Sequence, residues 1–223
     1  MCGRYTLAVE MNELAERFGC PTVEPVFKPR YNVAPAQLMP VVVDNDGRRE
    51  LQYMRWGLVP FWAKDYSISS RLINARIETV AQKPAFKYAL KLRRCIVPAD
   101  GYYEWQKIGN RKKPVRITLP QGGLFGFAGL WERWNSPDGE AFNTYTILTT
   151  SPAASVAIIH HRMPLVLDFN QEDYWLNGMA GNSPEEFLSR LNPVQYLKAY
   201  PVSTRVNSPA NDDPLCMKPV IQA

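Results

Sequence analysis

The chain has 223 residues, 46% of them hydrophobic and 12% aromatic, which is enough to bury one full core in a single domain. Its net charge of +5 allows a polyanionic partner but does not require one. The four cysteines are too sparse for a disulfide scaffold, and the sequence shows neither a signal-type leader nor an apolar run of about 18 residues, so we expect neither secretion nor membrane insertion.

The first predicted element is a helix from Val9 to Phe18. Apolar residues recur there at the three- and four-residue spacing of one helix face, and Gly19 follows as a C-cap. We expect this helix to anchor a preceding N-terminal strand against the core.

Two β-hairpins are predicted from their turns. The runs Leu38 to Val43 and Leu51 to Trp56 flank the turn residues 44–47, which end in Asp-Gly, and a second turn is predicted at Gly109-Asn110. The other predicted strands are Arg94 to Val97, Val115 to Leu119, Leu124 to Leu130, Tyr145 to Thr149 and Leu165 to Leu167. Further helices are predicted at Ala75 to Gln82, Pro152 to Ile158, Gln171 to Leu176 and Pro184 to Leu191.

This order of elements indicates an α+β fold. Many strands and few helices favour one β-rich domain over residues 1–223, with a curved antiparallel or mixed sheet and peripheral helices. Residues 193–223 are predicted to form a largely irregular tail, most clearly so from residue 208 onward, with one short strand near Tyr200 to Ser203.

Cys2 is the candidate with the most distinctive chemistry. A small second residue lets methionine aminopeptidase remove Met1, and the new N terminus then carries an amine and a thiol on adjacent carbons. Their reference pKa values are about 7.7 to 8.0 and about 8.5, so both groups can lose a proton near neutrality. An amine condenses with an aldehyde to an imine, and the neighbouring thiol can then close a thiazolidine ring. Taken alone, this start of a chain is more often incidental.

Three further positions are candidates for proton transfer or orientation. Only two histidines occur, His160 and His161, and in an extended stretch just one of them could enter a shared site. Glu104 has aromatic neighbours, and desolvation there would raise its pKa toward the range useful for proton transfer. Asn74 precedes a predicted helix. Taken alone, an edge pair with one hydrogen-bonded and one solvated imidazole, a glutamate on a polar strand face and a helix N-cap explain these residues without any function.

Basic and aromatic residues alternate between Arg55 and Lys64, a segment that includes Phe61 and Trp62. Aromatic rings can stack on unpaired bases while guanidinium groups hold phosphates, which is typical of single-stranded nucleic acid binding. Core tryptophans beside surface arginines explain the same pattern equally well. The sequence contains no phosphate-binding loop, dinucleotide motif, zinc-ligand spacing or nucleophile elbow, so we predict neither a cofactor nor a metal.

Together the motifs resemble the SRAP (SOS response-associated peptidase) family, the abasic-site processing proteins. The matching segments run in one order over nearly the whole chain: Cys2-Gly3-Arg4, Tyr31 to Pro35, Arg55 to Leu58, Ile73 to Thr79, Arg94 to Ala99, Tyr103 to Trp105, Ala128 to Leu130, Ile159-His160, Arg162 to Pro164 and Val206 to Pro209. The family commonly has Asp directly after this histidine, where the chain has His161. The motif register assigns the active imidazole to His160, although the two histidines could exchange roles.

The resemblance implies a β-rich fold with a basic cleft, and a sensor of abasic sites in single-stranded DNA that links itself to them covalently through mature Cys2. Glu104 would transfer protons, Asn74 would orient the cysteine and the opened sugar, and His160 would assist sugar opening or turnover of the adduct. Abasic-site lyase activity and peptidase-like removal of Met1 are implied side activities. The residues implied for DNA contact are Arg4, Asn32, Pro35, Phe61, Trp62, Arg76, Trp105 and Arg162.

Two other interpretations stay open at this point. An amidohydrolase of the N-terminal nucleophile class also matures to an N-terminal Cys-Gly and attacks an amide with the thiol. A non-covalent single-strand-binding module, with an incidental cysteine, would bind intact and abasic strands equally. We expect a monomer in the cytoplasm, associated with the nucleoid, whose partner is single-stranded DNA with abasic sites and which makes no membrane contact.

Overall fold

Two β-sheets share one apolar core in this chain. The computed structural model describes residues 2–24 and 26–220, so Met1 and the last three residues of the predicted tail lie outside the described residues. In chain order the elements are β1 Tyr5–Leu7, α1 Met11–Phe18, β2 Arg30–Val33, β3 Leu38–Asn45, β4 Arg48–Trp56, β5 Asn74–Arg76, α2 Lys87–Leu92, β6 Arg94–Ala99, β7 Gly101–Ile108, β8 Arg111–Thr118, β9 Phe125–Asn135, β10 Ala141–Thr150, β11 Met163–Pro164, β12 Val166–Leu167, α3 Glu172–Asn177, α4 Pro184–Ser189 and β13 Lys198–Pro201. None of the described helices is both long and apolar enough to span a bilayer.

The smaller sheet is antiparallel and has the strand order β13-β8-β7-β1-β2. The larger sheet has the order β11-β10-β4-β3-β6-β9-β12 and is mixed, because β10 pairs in parallel with β4 and β5 and antiparallel with β9 and β11. The predicted β-rich α+β class with antiparallel and mixed sheets is therefore confirmed. Strand β10 pairs with both β5 and β11, and residues of the candidate site lie on β5 and just before β11.

Both predicted hairpins are confirmed. Strands β3 and β4 pair from Asn45 and Arg48 outward, so the turn consists of Asp46 and Gly47. Both turn residues have positive φ, 51° and 81°, which is the conformation that matches the twist of a two-residue hairpin. The second hairpin also has a two-residue turn, Gly109 and Asn110, of which only Gly109 has positive φ, at 59°.

Helix α1 is confirmed, with Gly19 in the left-handed conformation at φ 64° as its C-cap. Helices α3 and α4 also lie where helices are predicted, and α4 begins with a capping box at Ser183. Helix α2 was not predicted.

Two predicted helices are wrong, and the sheet explains both. The segment Ala75 to Gln82 begins with strand β5 and continues in turns, because its backbone bonds to β10, as in Ile77 N–H donating to Thr149 O. The segment Pro152 to Ile158 contains only a 3-10 turn at Ala154–Val156. The chain leaves β10 at Thr150 and returns opposite it at Met163 to form β11, so this segment is a loop that connects two paired strands.

The C-terminal tail is tied to the small sheet. The short strand expected near Tyr200 is β13, and beyond it the described residues form 3-10 turns and one bridge between Val202 and Pro219. The carboxylate of Asp212 accepts hydrogen bonds from the backbone N–H groups of Tyr31 and Asn32, at 2.6 and 2.9 Å. The tail therefore packs beside strand β2, which pairs with the N-terminal strand β1.

A buried glutamate joins three elements on the other side of the molecule. Glu172 on α3 is fully buried and bonds to Arg17 of α1 at 2.7 Å and to Arg49 of β4 at 3.0 Å. Arg49 also bonds to Asp173, whose side chain is 82% exposed. These pairs hold α1 and α3 against the large sheet.

We predict that Glu172→Ala destabilises the fold by about 3 kcal/mol, because it leaves two partly buried guanidinium groups without their shared carboxylate. Asp173→Ala is the matched control, since it removes an exposed partner of the same Arg49 and should cost less than about 1 kcal/mol. Urea unfolding of the two variants measures the difference. Equal losses of unfolding free energy would contradict the assignment of Glu172 as the anchor.

Candidate active site

The first residues of the chain run antiparallel beside strand β7. Tyr5 pairs with Tyr102, and the N–H of Tyr103 donates to the carbonyl of Arg4 at 3.0 Å. Continued by one residue, this register places Gly3 across from Glu104. Because directly opposed residues share one face of a sheet, Gly3 leaves the space beside that carboxylate without a competing side chain.

Cys2 lies next to this position and is fully buried. Its thiol donates a long hydrogen bond to the carbonyl of Arg4 at 3.7 Å. Burial, followed by the negative charge of Glu104, raises the pKa of the Cys2 thiol well above its ordinary value. The thiol is therefore held in its protonated form.

Asn74 connects the large sheet to this segment. It lies on β5, opposite Ile147 of β10, and its Nδ2 donates to the carbonyl of Cys2 at 2.8 Å. Its Oδ1 is buried and has no hydrogen-bond partner among the described residues. An acceptor of this kind is ready for a donor from an incoming molecule, since an unpaired buried oxygen is costly. Asn74 is thus a strand residue, and the N-cap explanation does not apply.

Glu104 is only 4% exposed. Desolvation raises the pKa of its carboxyl group, and this effect outweighs the opposing influence of the Trp105 backbone N–H and of nearby His161. The direction agrees with the effect predicted from its aromatic neighbours. A carboxyl group whose pKa is raised can serve as a proton donor closer to neutral pH.

The two histidines lie in a bend rather than in an extended strand. Their rings stack with centroids 4.3 Å apart and planes inclined by 28°, so the side chains do not point to opposite faces as they would in an extended stretch. The backbone N–H of Arg162 lies 3.0 Å from Nδ1 of His160, to which it donates. Burial lowers the pKa of His160.

Three of the residues implied for DNA contact are engaged inside the protein. Arg4 donates to Asn32 Oδ1 and to the carbonyl of Val206, each at 2.8 Å. Asn32 is fully buried, and its Nδ2 donates to three carbonyl groups of the tail, so no surface of it is open to a ligand. Arg162 forms a bidentate pair with Glu78, at 2.6 and 2.9 Å. In this structure these three side chains connect elements of the fold.

The other implied contact residues are more accessible. Phe61 and Trp62 are 54% and 48% exposed, and Arg76 is exposed close enough to influence His161 electrostatically. Pro35 is half-buried, as is Trp105, whose indole N–H donates to Asn207 Oδ1 at 2.8 Å. Their contact with DNA stays a prediction.

Sequence reasoning missed two supporting residues. Glu78 holds Arg162, and Thr149 accepts from the same guanidinium through its carbonyl at 2.6 Å. Glu78 lies within the matching segment Ile73 to Thr79. The one sequence signal for its contact with Arg162 is the opposite charge of the two side chains. Among the described residues, no three His, Cys, Asp or Glu side chains lie close enough to hold a metal ion.

Comparisons with known proteins identify a family and several relatives of the chain. The model of the family "SOS response associated peptidase (SRAP)" matches residues 1–209. The abasic site processing protein YoqW of Bacillus subtilis (strain 168) is 42% identical over 219 residues, covering 96% of this chain and 97% of YoqW. The abasic site processing protein HMCES of Gallus gallus is 35% identical over 226 residues, covering 87% and 67%. A crystal structure of a protein from Bacteroides thetaiotaomicron has a TM-score of 0.88 at 29% identity, covering 99% of this chain and 100% of that one.

The raised pKa of Glu104 predicts a specific dependence of stability on pH. Because the folded state holds this proton more tightly than the unfolded state, the wild type loses stability relative to Glu104→Gln as the pH rises from below the ordinary glutamate pKa through the raised one. Urea unfolding of both proteins from acidic to neutral pH measures the difference between their free energies of unfolding. Contributions from other titrating groups cancel in this difference. A difference that stays constant with pH would show that this carboxyl titrates normally.

Proposed function

The chain belongs to the SOS response associated peptidase (SRAP) family, and from this membership we propose that it captures abasic sites in single-stranded DNA through a covalent bond to Cys2. The names of its relatives, abasic site processing proteins, support the lesion as the target. The observation that carries the proposal is the meeting of Cys2, Asn74 and Glu104 at the start of the chain.

The reaction begins with removal of Met1. This step turns the backbone nitrogen of Cys2 from an amide into an amine, and methionine aminopeptidase suffices for it. The opened sugar of an abasic site carries an aldehyde. The neutral amine adds to that carbon to give a carbinolamine, which loses one water to form an imine.

Glu104 and Asn74 assist these steps. Loss of water requires a proton on the departing oxygen, and a carboxyl group with a raised pKa can supply it. Asn74 already holds the carbonyl of Cys2, and its buried Oδ1 can accept a hydrogen bond from a sugar hydroxyl or from the amine. His160 takes or returns a proton during sugar opening or reversal of the adduct.

The thiol then determines which of two reactions the imine undergoes. Addition of S–H across the C=N bond forms the C–S bond of a thiazolidine and leaves the nitrogen protonated. This closes the route in which the imine acidifies the neighbouring carbon and the DNA strand breaks by β-elimination. Strand cleavage is therefore the side reaction expected whenever sulfur does not capture the imine.

Exposed aromatic and basic residues of the chain support a single-stranded substrate. Phe61 and Trp62 can stack on bases that have no partner, and Arg76 can approach a phosphate. Phosphate contacts of this kind hold the backbone without reading the sequence.

We expect purified protein that begins with Cys2 to form an adduct with abasic single-stranded DNA that survives heating on a denaturing gel. Mass spectrometry should give the sum of protein and DNA less one water. Cys2→Ser should give only an imine, visible after borohydride reduction, together with more strand cleavage. Cys20→Ser is the matched control, because this other cysteine lies outside the site and should leave capture unchanged.

A removable N-terminal extension tests the role of the amine directly. Protein that carries the extension should not react, and proteolytic release of Cys2 as the first residue should restore capture. Full capture by the extended protein, or the same heat-stable adduct from Cys2→Ser, would refute the assignment. Equal binding of intact and abasic strands with no adduct would favour a non-covalent binding module instead.

Glu104→Gln should slow capture roughly 100-fold at neutral pH, since the amide cannot donate a proton to the leaving hydroxide. Binding to an intact strand should stay at the wild-type level, because Glu104 is buried and carries no DNA contact in the proposal. Single-turnover capture and equilibrium binding separate the two effects. Equal loss of both would indicate a damaged fold rather than lost acid catalysis.

A further inference from the structure

The bend at residues 160–161 brings two imidazole rings to one side of the chain. The rings stack at 4.3 Å, with His160 half-buried and His161 exposed. His161 is therefore the outer ring of the pair. A flat contact of this kind restricts rotation of the inner ring about its side-chain bonds.

The backbone of Arg162 fixes the inner ring from its other side. Nδ1 of His160 lies 3.0 Å from both the nitrogen and the oxygen of Arg162. Neutral His160 accepts from the N–H, and protonated His160 can donate to the C=O. Arg162 is itself anchored by Glu78 and by the carbonyl of Thr149. His160 can thus change its protonation state without moving.

Charged groups from several elements face the pair. The positive charge of His160 is the main cause that lowers the pKa of His161, and Arg76 and Arg162 add to it. Burial is the main cause that lowers the pKa of His160, and Lys112 of β8 adds to it. The carboxyl groups nearby are Glu104 of β7, which acts on His161, and Glu78, which is paired with Arg162.

Two protonated rings in this stack would repel each other strongly. The carbonyl of Arg162 favours His160 as the holder of the first proton, which leaves His161 neutral. We propose that His161 is a positioning residue, whose neutral ring holds His160 in place for proton transfer, and that the pair takes up at most one proton near neutral pH. The expected effect of His161 on DNA capture rests on the proposed function. The expected protonation of the two histidines does not.

Nuclear magnetic resonance can test the pair without DNA, because the chain contains only two histidines. We expect the wild-type rings to titrate in two separate steps. His161→Phe keeps the stack and removes the second titration, so the midpoint of His160 should stay near the wild-type value. His161→Asp places a carboxylate beside the ring and should raise that midpoint by about one pH unit. The same midpoint in wild type and His161→Asp, or simultaneous protonation of both wild-type rings, overturns the proposal.

Capture of abasic DNA over a pH series tests the consequence. His161→Phe should react at the wild-type rate, whereas His161→Ala, which lacks a ring, should react about tenfold more slowly. In His161→Asp the acidic limb of the profile should move by the same amount as the resonance midpoint. Equal capture rates for His161→Phe and His161→Ala would overturn the positioning role. So would a capture profile of His161→Asp that stays in place although the resonance midpoint of His160 has moved. If the wild type itself captures no abasic DNA, the proposed function fails, and the resonance titration still decides whether the pair behaves as proposed.

Discussion

The site depends on the pairing of the N-terminal segment with strand β7. This pairing buries Cys2 and Glu104 together, and desolvation raises the pKa of both groups. The buried thiol is held in its protonated form, so it does not compete with an N-terminal amine for the role of first nucleophile. In the proposed reaction the acid acts during loss of water and the thiol acts last.

Keeping the first residues of a chain in a buried position requires anchors, because termini are otherwise among the least ordered parts of a domain. Arg4 provides one anchor by bonding to Asn32 and to the tail carbonyls of Val206 and Asn207. Asp212 provides another by accepting from the backbone of β2. The resemblance to the family implies DNA contact for Arg4 and Asn32, and in this structure their side chains join the N-terminal segment and β2 to the tail. The side chain of Arg76 is exposed and has no hydrogen-bond partner among the described residues, so it is better placed to meet a phosphate.

Local signals in the sequence predicted much of the fold. The Asp46-Gly47 turn and the Gly19 C-cap depend on backbone conformations that their own residues favour, so neighbouring sequence is sufficient to find them. The segment after Asn74 was assigned to a helix because nothing nearby reveals that β10 will bind its backbone. The same limit applies to Arg162, whose partner Glu78 is 84 residues away. The aromatic neighbours of Glu104 in the sequence indicate its desolvation, whereas its role in proton transfer is implied only by the resemblance to the family.

The loop that carries the histidines shows how the fold sets the chemistry of a side chain. Its two ends are fixed opposite each other, since Thr150 of β10 pairs with Met163 of β11. Between these fixed ends the chain bends at residue 161, and the rings of residues 160 and 161 stack, an arrangement that an extended segment with successive side chains on opposite faces could not form. Arg162, whose backbone N–H donates to Nδ1 of His160, directly precedes β11, so the pairing of β11 with β10 helps to fix the position of this contact.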